Sequence, residues 1–464
     1  MSRLLISAAH KSSGKTTITL GLCATLAGRG LAVQPFKKGP DYIDPMWLGQ
    51  ASGRPCHNLD FYCMSHAEIL SSLGHYSAAA DIALIEGNKG LYDGLDLDGS
   101  NSNAALAKLT RTPVILVLDA RGMTRGIAPL ILGNQAFDPE IEIVGVILNQ
   151  LGGSRHEAKL RAVIEHYTDV PVLGGVHRNR ELEIVERHLG LIPSNEERSA
   201  ATRIAGIREI IGEQVDIDQL LAVAGTANLV YEPLPLDNPP RAQRVRIGIA
   251  RDAAFGFYYP DDLEALERAG AELVTIDTLQ DRVLPNIDGL FIGGGFPESR
   301  MRELEANRTL REQIRFMINR GLPVYAECGG LMYLSRSLRW KDRCCEMVGI
   351  IPGDTVMHER PQGRGYVRLQ ETAGLPWPGG NALEEFSAHE FHYSSLENIT
   401  VPLDFAYRVT RGSGIDGKHD GIVIHNVLAS YSHMRDTRQH RWARRFVDFV
   451  RQHTHRDSTP VSAL

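Results

Sequence analysis

The most constraining stretch lies near the amino end. A short apolar run, Leu4 to Ala8, leads into His10-Lys11-Ser12-Ser13-Gly14-Lys15-Thr16-Thr17, and a helical pattern follows from Ile18 to Ala27, stopping at Gly28 and Gly30. A buried strand, a Gly-Lys-Thr turn and a helix in that order demand an α/β layer with a phosphate-binding loop, because the loop amides and the helix N-terminus converge on one anion. Ser12, Ser13, Gly14, Lys15, Thr16 and Thr17 are therefore candidate ATP-binding residues. Lys15 is expected to reach the β/γ-phosphates and the Thr16 hydroxyl to sit on Mg2+. Ala9 stands where the common G-x-x-x-x-G-K-[ST] pattern has its first glycine, and a chance Gly-Lys-Thr at a helix start is the plainer alternative.

The segments that follow fit the same layer. Leu31 to Phe36 reads as a second strand, with Lys37-Lys38-Gly39-Pro40-Asp41-Tyr42-Ile43-Asp44-Pro45 in the loop after it. Loops at the carboxyl ends of parallel strands are where open α/β sheets bind ligands. Carboxylates beside lysines there suit a cation or an acidic substrate, although an ordinary polar loop has the same composition. Ile82 to Ile85 is a buried strand ending in Glu86, and Asp93 lies seven residues further on in a glycine-rich loop that includes Asn88 and Lys89. An acid at a strand tip opposite a phosphate loop is a candidate metal contact, so Thr16, Asp41 and Glu86 form the expected metal set. Pro113 to Asp119, Ile143 to Leu148 and Val170 to Gly175 are further strands. Asn149, at the end of the second of these, could read a nucleotide base or merely cap a turn. Strands alternating with helices over residues 1–231 predict a doubly wound, mostly parallel sheet.

A proline-rich stretch, 232–244, reads as an extended linker. A second domain is expected over 245–450 and a tail over 451–464. This half restarts with a strand, Val245 to Ala250, and carries Leu290-Phe-Ile-Gly293-Gly294-Gly295, a strand ending in three glycines. Val324-Tyr-Ala-Glu-Cys328-Gly-Gly-Leu331 follows. A strand, a tight turn and a helix would lift Cys328 to the top of a sheet, where a helix N-terminus favours the thiolate. Gly329 and Gly330 allow close backbone approach, and Gly294, Gly295 and Gly329 are candidate oxyanion donors. The bland reading of Cys328 is a small core residue. His389, His392 and His433 compete as its base, with His433 favoured because it follows a late strand, Gly421 to Asn426.

Bulk properties narrow the classes. A chain of 464 residues has room for two to four domains, and a net charge of −6 offers no nucleic-acid footprint. Arg435, Arg438, Arg441, Arg444 and Arg445 look like one face of a solvated helix. Six scattered cysteines show neither metal-ligand spacing nor a disulfide framework, which suits the cytoplasm. No run approaches a membrane span, and no signal peptide is read at the amino end.

In order, the chain carries Ser-Gly-Lys-Thr-Thr, Gly-Pro-Asp-Tyr-Ile-Asp, Glu-Gly-x-x-Gly-Leu-Tyr-Asp-Gly, Gly-Val-Ile-Leu-Asn, Glu-Arg-His-Leu-Gly-Leu, Gly-Gly-Gly-Phe-Pro-Glu, Tyr-Ala-Glu-Cys-Gly-Gly-Leu, His-Glu-Phe-His-Tyr-Ser and Ser-Tyr-x-His. With these motifs the sequence resembles the cobyrinic acid a,c-diamide synthases over nearly its whole length. The resemblance implies a dethiobiotin-synthetase-like P-loop domain that uses ATP and Mg2+ to phosphorylate a carboxylate of a tetrapyrrole. It further implies a class I-like glutamine amidotransferase domain that supplies ammonia from L-glutamine. Asp41, Tyr42, Ile43, Lys89 and Asp93 would then serve the substrate and acyl-phosphate site, Cys328 would be the nucleophile and His433 its base. Glutaminases of this type commonly add a glutamate two residues after the histidine. Arg435 stands there, so a Cys–His dyad is expected, with Glu390 a weak candidate to orient His433. Asn88, Lys89 and Gly99-Ser-Asn-Ser-Asn103 depart from the family's usual residues, so siroheme is kept beside cobyrinic acid as the tetrapyrrole. A P-loop switch ATPase, or a dethiobiotin-type carboxylase with a degenerate second domain, would account for the first half but leave Cys328 and His433 idle. A homodimer is a further expectation.

Overall fold

The computed structural model describes residues 2–182, 186–187, 190–196, 199–226, 243–379 and 384–454. The chain divides into two compact units, Met1–Pro235 and Leu236–Leu464. Most of the proline-rich stretch (232–242), His188 and Leu189, and residues 455–464 of the expected tail lie outside the described residues.

In the first unit, β1 (Ser2–Ala8), β2 (Val33–Lys38), β3 (His57–Leu59), β4 (Ile82–Glu86), β5 (Val114–Asp119), β6 (Ile143–Leu151) and β7 (Val172–His177) form one sheet in the order β3-β2-β4-β1-β5-β6-β7. All neighbours on this path run parallel. Helices cover both faces of such a sheet, which is why β1, β4 and β5 are almost continuously buried apolar runs. The chain order reverses around β1, which lies between β4 and β5. That reversal opens the crevice in which doubly wound sheets hold ligands.

The first unit departs from the sequence reading in several places. β2 reaches Lys38, so Lys37 and Lys38 are buried strand residues and not loop residues. Their burial is tolerated because carboxylate and amide oxygens meet them. β6 runs on to Leu151, which places Asn149 inside a strand. Short strands beyond those expected are His57–Leu59, which pairs with β2, and Gly225–Thr226, which pairs antiparallel with the start of β1.

The second unit is built on a mixed sheet of nine strands. Its order is Ala271–Ile276, Val245–Ala250, Gly289–Ile292, Val324–Glu327, Val427–Ser430, His419–Ile424, Asp404–Arg411, Gly363–Glu371, Glu385–His392. The first five are parallel and the rest antiparallel. Helix Trp442–Thr454 lays Trp442, Phe446, Val447 and Val450 on it and extends through the first four residues of the expected tail. The five arginines do not share a solvated helix face. Arg435, Arg438 and Arg441 precede the helix; Arg435 is buried against Asp261 and Arg445 pairs with Glu371. Among the described residues no helix is long and apolar enough to cross a membrane.

Candidate active sites

The loop after β1 wraps the start of helix α1 (Lys15–Gly28). Gly14 sits at φ 88°, and a Cβ there would stand 2.1 Å from Asn149 Nδ2, so only glycine fits. Asn149 donates that Nδ2–H to the Ser13 carbonyl at 2.9 Å, and Ser13 Oγ donates to the His10 carbonyl at 2.9 Å. The hydrogen bond seen at Asn149 thus braces the loop from β6. Ser12 takes a positive φ of 65°, and Thr17 Oγ1 lies 3.5 Å from the Leu182 carbonyl. Burial lowers the Lys15 pKa to about 8; Glu86 works against this and Lys37 adds to it.

Three loops converge beside Lys15. Thr16 Oγ1 donates to Glu86 Oε1 at 2.6 Å and lies 3.4 Å from Asp44 Oδ2. Lys37 Nζ stands between carboxylates, 2.5 Å from Asp44 Oδ2, 3.0 Å from Glu86 Oε1 and 3.8 Å from Asp41 Oδ2. Burial opposes the Lys37 charge, but Asp44, Glu86 and Asp41 outweigh it and hold its pKa well above the ordinary value. Asp41 is pushed upward by burial and by Asp44. One Asp41 oxygen is already occupied. Oδ1 accepts from the amides of Ile43 and Asp44, at 2.9 and 3.1 Å, where helix Ile43–Ser52 begins. Asp44, absent from the expected metal set, lies closer to Thr16 and Lys37 than that capping role suggests for Asp41. Tyr42 and Ile43 are both buried.

Among the described residues no group of three or more His, Cys, Asp or Glu is arranged to hold a metal ion by itself, so a magnesium ion here would need the Thr16 hydroxyl and phosphate oxygens beside the carboxylates. Glu86 is 0% exposed, and its Oε2 has no hydrogen-bond partner among the described residues. A buried carboxylate oxygen without a partner is costly unless a cation meets it. Thr16, Asp44 and Glu86 offer hard oxygens, with Asp41 at the edge.

The loop between β4 and helix Asn103–Thr110 is bracketed by Asn103, which is fully buried. Its Nδ2 lies 3.0, 2.6 and 2.9 Å from Ser7 Oγ and the carbonyl oxygens of Asn88 and Gly90, which share its two N–H donors, and its Oδ1 accepts from the Asn88 amide at 3.1 Å. Asp93 Oδ2 accepts from the Gly90 amide at 2.8 Å and closes a turn. Lys89 adopts φ 42°, while Lys38 Nζ donates to Asn88 Oδ1 at 3.1 Å. Burial lowers the Lys38 pKa to about 8; Asp60 opposes that, and Lys89 adds to it.

In the second unit Cys328 occupies φ 46°, ψ −97°, between strand Val324–Glu327 and helix Gly329–Leu334. A non-glycine residue at such angles is strained and is held by its surroundings. The Cys328 amide donates to the Ser430 carbonyl at 2.7 Å. The glycines divide the work. A Cβ on Gly330 would meet the Ile292 carbonyl oxygen at 2.1 Å, so its bareness serves helix–strand packing and not substrate approach. A Cβ on Gly329 would lie 3.0 Å from the Gly295 amide nitrogen, which puts these two backbones face to face beside the thiol. A Cβ on Gly294 would lie 2.7 Å from His433 Cε1.

Of the three histidines, His433 is the one that meets Cys328. It shares a side-chain hydrogen bond with the thiol and is raised to about 10; burial opposes that rise, while Cys328 and Glu327 drive it. His433 Nδ1 faces Glu327 Oε2 at 3.3 Å. His389 stacks on His433 at 5.0 Å between ring centroids and is held well below the ordinary value by burial, His433 and Arg435. His392 donates Nδ1–H to the Ser394 carbonyl at 2.7 Å and stacks on Tyr431. Glu390, the expected orienting group, instead accepts from the amides of Ser413 and Gly414 at 2.7 and 2.8 Å. Glu327 was missed because nothing local marks it; the only signal was its place at the end of a buried strand.

Comparison with known proteins matches both halves. Residues 5–192 fit the family described as the CobQ/CobB/MinD/ParA nucleotide binding domain, and residues 246–439 the CobB/CobQ-like glutamine amidotransferase domain. The chain is 47% identical over 459 residues to a protein of Magnetococcus marinus named cobyrinate a,c-diamide synthase, covering 97% of each. Proteins of the same name from Methanosarcina acetivorans and Archaeoglobus fulgidus are 43% and 41% identical, over 93% and 96% of this chain and 92% and 96% of theirs.

Proposed function

The chain belongs to the cobyrinate a,c-diamide synthase family, and we propose that it converts the a and c acetate carboxylates of cobyrinic acid to amides with ATP and glutamine. A carboxylate is a poor acyl donor because its leaving group would be oxide. Transfer of the ATP γ-phosphoryl group to a carboxylate oxygen gives an acyl phosphate and ADP, and ammonia then adds at the carbonyl carbon while inorganic phosphate leaves.

Each residue has a task in that scheme. The Ser12–Gly14 backbone and Lys15 bind the triphosphate, braced by Asn149. Lys37 holds Asp44 and Glu86 in place. Thr16, Asp44 and Glu86 would hold Mg2+, which when bound neutralises charge on the phosphate oxygens. Lys38 and Lys89 offer ammonium groups to the substrate's other carboxylates. In the second unit the Cys328 thiolate attacks the glutamine side-chain carbonyl. In this scheme the Gly295 and Gly329 amides receive the oxyanion, and His433 protonates the departing ammonia. Water then cleaves the thioester, giving glutamate and free thiol. Six free cysteines suit a cytoplasmic setting.

The observation that carries this reading is the pairing of a Cys328–His433 hydrogen bond with a Thr16–Glu86–Lys37 phosphate-loop cluster in one chain. The test is to give the purified protein ATP, Mg2+, glutamine and either cobyrinic acid or siroheme, then weigh the products. Exchange of one or two hydroxyls for amides on cobyrinic acid is expected. Exchange on siroheme alone would move the substrate, and exchange on neither would remove the reading.

A further inference from the structure

We propose that Glu327 is the third member of the glutaminase constellation, a positioning residue acting through His433; this rests on Cys328 being the nucleophile. The acid's common place, two residues after the histidine, is taken by Arg435. Its side chain turns to Asp261, 2.6 Å away, and lies over the Tyr259 ring. The Nδ1 side of His433 is met instead by Glu327, the residue immediately before the nucleophile.

Sheet register makes this possible. Strand Val324–Glu327 runs parallel to Val427–Ser430, with Glu327 opposite Ser430. The chain that leaves Ser430 carries His433 three residues later, beside the Glu327 side chain. Glu327 is 3% exposed and is held by several donors. Its Oε1 accepts from the Tyr325 hydroxyl and, at 3.0 Å, from the Met434 amide; its Oε2 faces His433 Nδ1 at 3.3 Å. One carboxylate therefore fixes both the ring and the backbone next to it. Donating Nδ1–H to Glu327 keeps the proton off Nε2, so that Nε2 can accept the thiol proton, and the carboxylate then stabilises the imidazolium that forms. Cys328, His389 stacked on the ring and Arg435 beyond also face His433, and the carboxylate that meets it is Glu327, 3.3 Å from Nδ1.

The test uses the full chain. Glu327→Gln keeps the shape and removes the charge. Its kcat for glutamine hydrolysis is expected to fall about 10²–10⁴-fold, as when a triad acid loses its charge, with the KM for glutamine changed by less than about 2-fold. The alkaline limb of its kcat/KM profile should move to lower pH, a shift that loosened packing would not produce. Tyr325→Phe removes one donor to Glu327 and keeps the ring, and a smaller fall in the same direction is expected. A Glu327→Gln kcat within about 3-fold of the parent, or a fall with an unmoved limb, overturns the proposal. If that variant does not fold, unchanged kinetics in Tyr325→Phe overturn it instead. Cys328→Ser separates the two readings. Glutamine hydrolysis surviving there removes the nucleophile, whereas its loss there beside a near-normal Glu327→Gln removes only the role of Glu327.

Discussion

Glu86 and Lys37 show how single residues make the proposed phosphate site. Glu86 has no exposed surface, and burial lifts its pKa; the Lys37 charge and the hydrogen bonds from Thr16 and Lys37 oppose that. Each charge is tolerable only with the other present. Lys37→Met should therefore leave Glu86 and Asp44 uncompensated and lower stability by about 3–5 kcal/mol, read from denaturant unfolding. Glu86→Gln keeps the packing and weakens the cation site. ATP-dependent amidation should fall about 10²-fold with either glutamine or ammonia, while glutamine hydrolysis stays close to the parent. Cys328→Ser should behave in the opposite way, losing amidation from glutamine and retaining it with ammonia. Equal loss from both nitrogen sources in Cys328→Ser would contradict two separate sites. Glu86 is legible from sequence because it ends an apolar run. The role of Asp44 is not, because Asp41 and Asp44 sit in one polar stretch and only the helix start decides which of them is spent as a cap.

At the scale of elements, the elbow at Cys328 depends on a strand and a helix packed without side chains between them. Gly330 has the Ile292 carbonyl where its Cβ would be, at 2.1 Å. Gly330→Ala should cost about 1–3 kcal/mol by overpacking and should displace Cys328, so its glutaminase loss should exceed its loss of thermal stability. The loop after β4 depends on Asn103. Asn103→Ala leaves the Ser7 hydroxyl and the Asn88 and Gly90 carbonyls without their donor. Amide exchange should quicken over residues 87–102, and the KM for the tetrapyrrole should rise about 10-fold with glutamine hydrolysis intact. The Gly-Lys-Thr turn and the cysteine elbow were readable because their signals are contiguous. Asn103 was readable only as an unusual residue, since its four partners come from β1 and from the loop itself.

Across the whole molecule, the two units carry separate chemistries, and their stabilities need not respond alike to pH. In the second unit Glu371 accepts from Arg445 and lies 3.4 Å from His440. Burial raises its pKa, but the contacts with His440 and Arg445 prevail and bring it down from 4.5 to about 2. A carboxylate with a depressed folded pKa contributes stability that is complete above its unfolded value and is lost as pH falls through the folded one. The second unit should therefore weaken between pH 4.5 and about 2. Glu371→Gln should be less stable at neutral pH and should show a flatter acid limb, as followed by pH-dependent denaturant melts. An unchanged acid limb would show that Glu371 does not couple folding to protons.

The sequence by itself determined the parts whose physics is local. These are the parallel α/β layer, from alternating apolar runs, the phosphate loop, from one turn and one helix start, and the cysteine elbow, from a strand end and two glycines. It also left an arginine where an acid was expected, which pointed to a dyad. Only the tertiary structure decided what crosses between segments: Lys37 among three carboxylates, Asn149 under the loop, and Glu327 behind His433. Those contacts depend on which strands lie side by side and in what register. Glu327 and His433 are 106 residues apart in the chain and come together because two parallel strands align Glu327 with Ser430. Sheet register is a property of the assembled core, and no short stretch of sequence carries it.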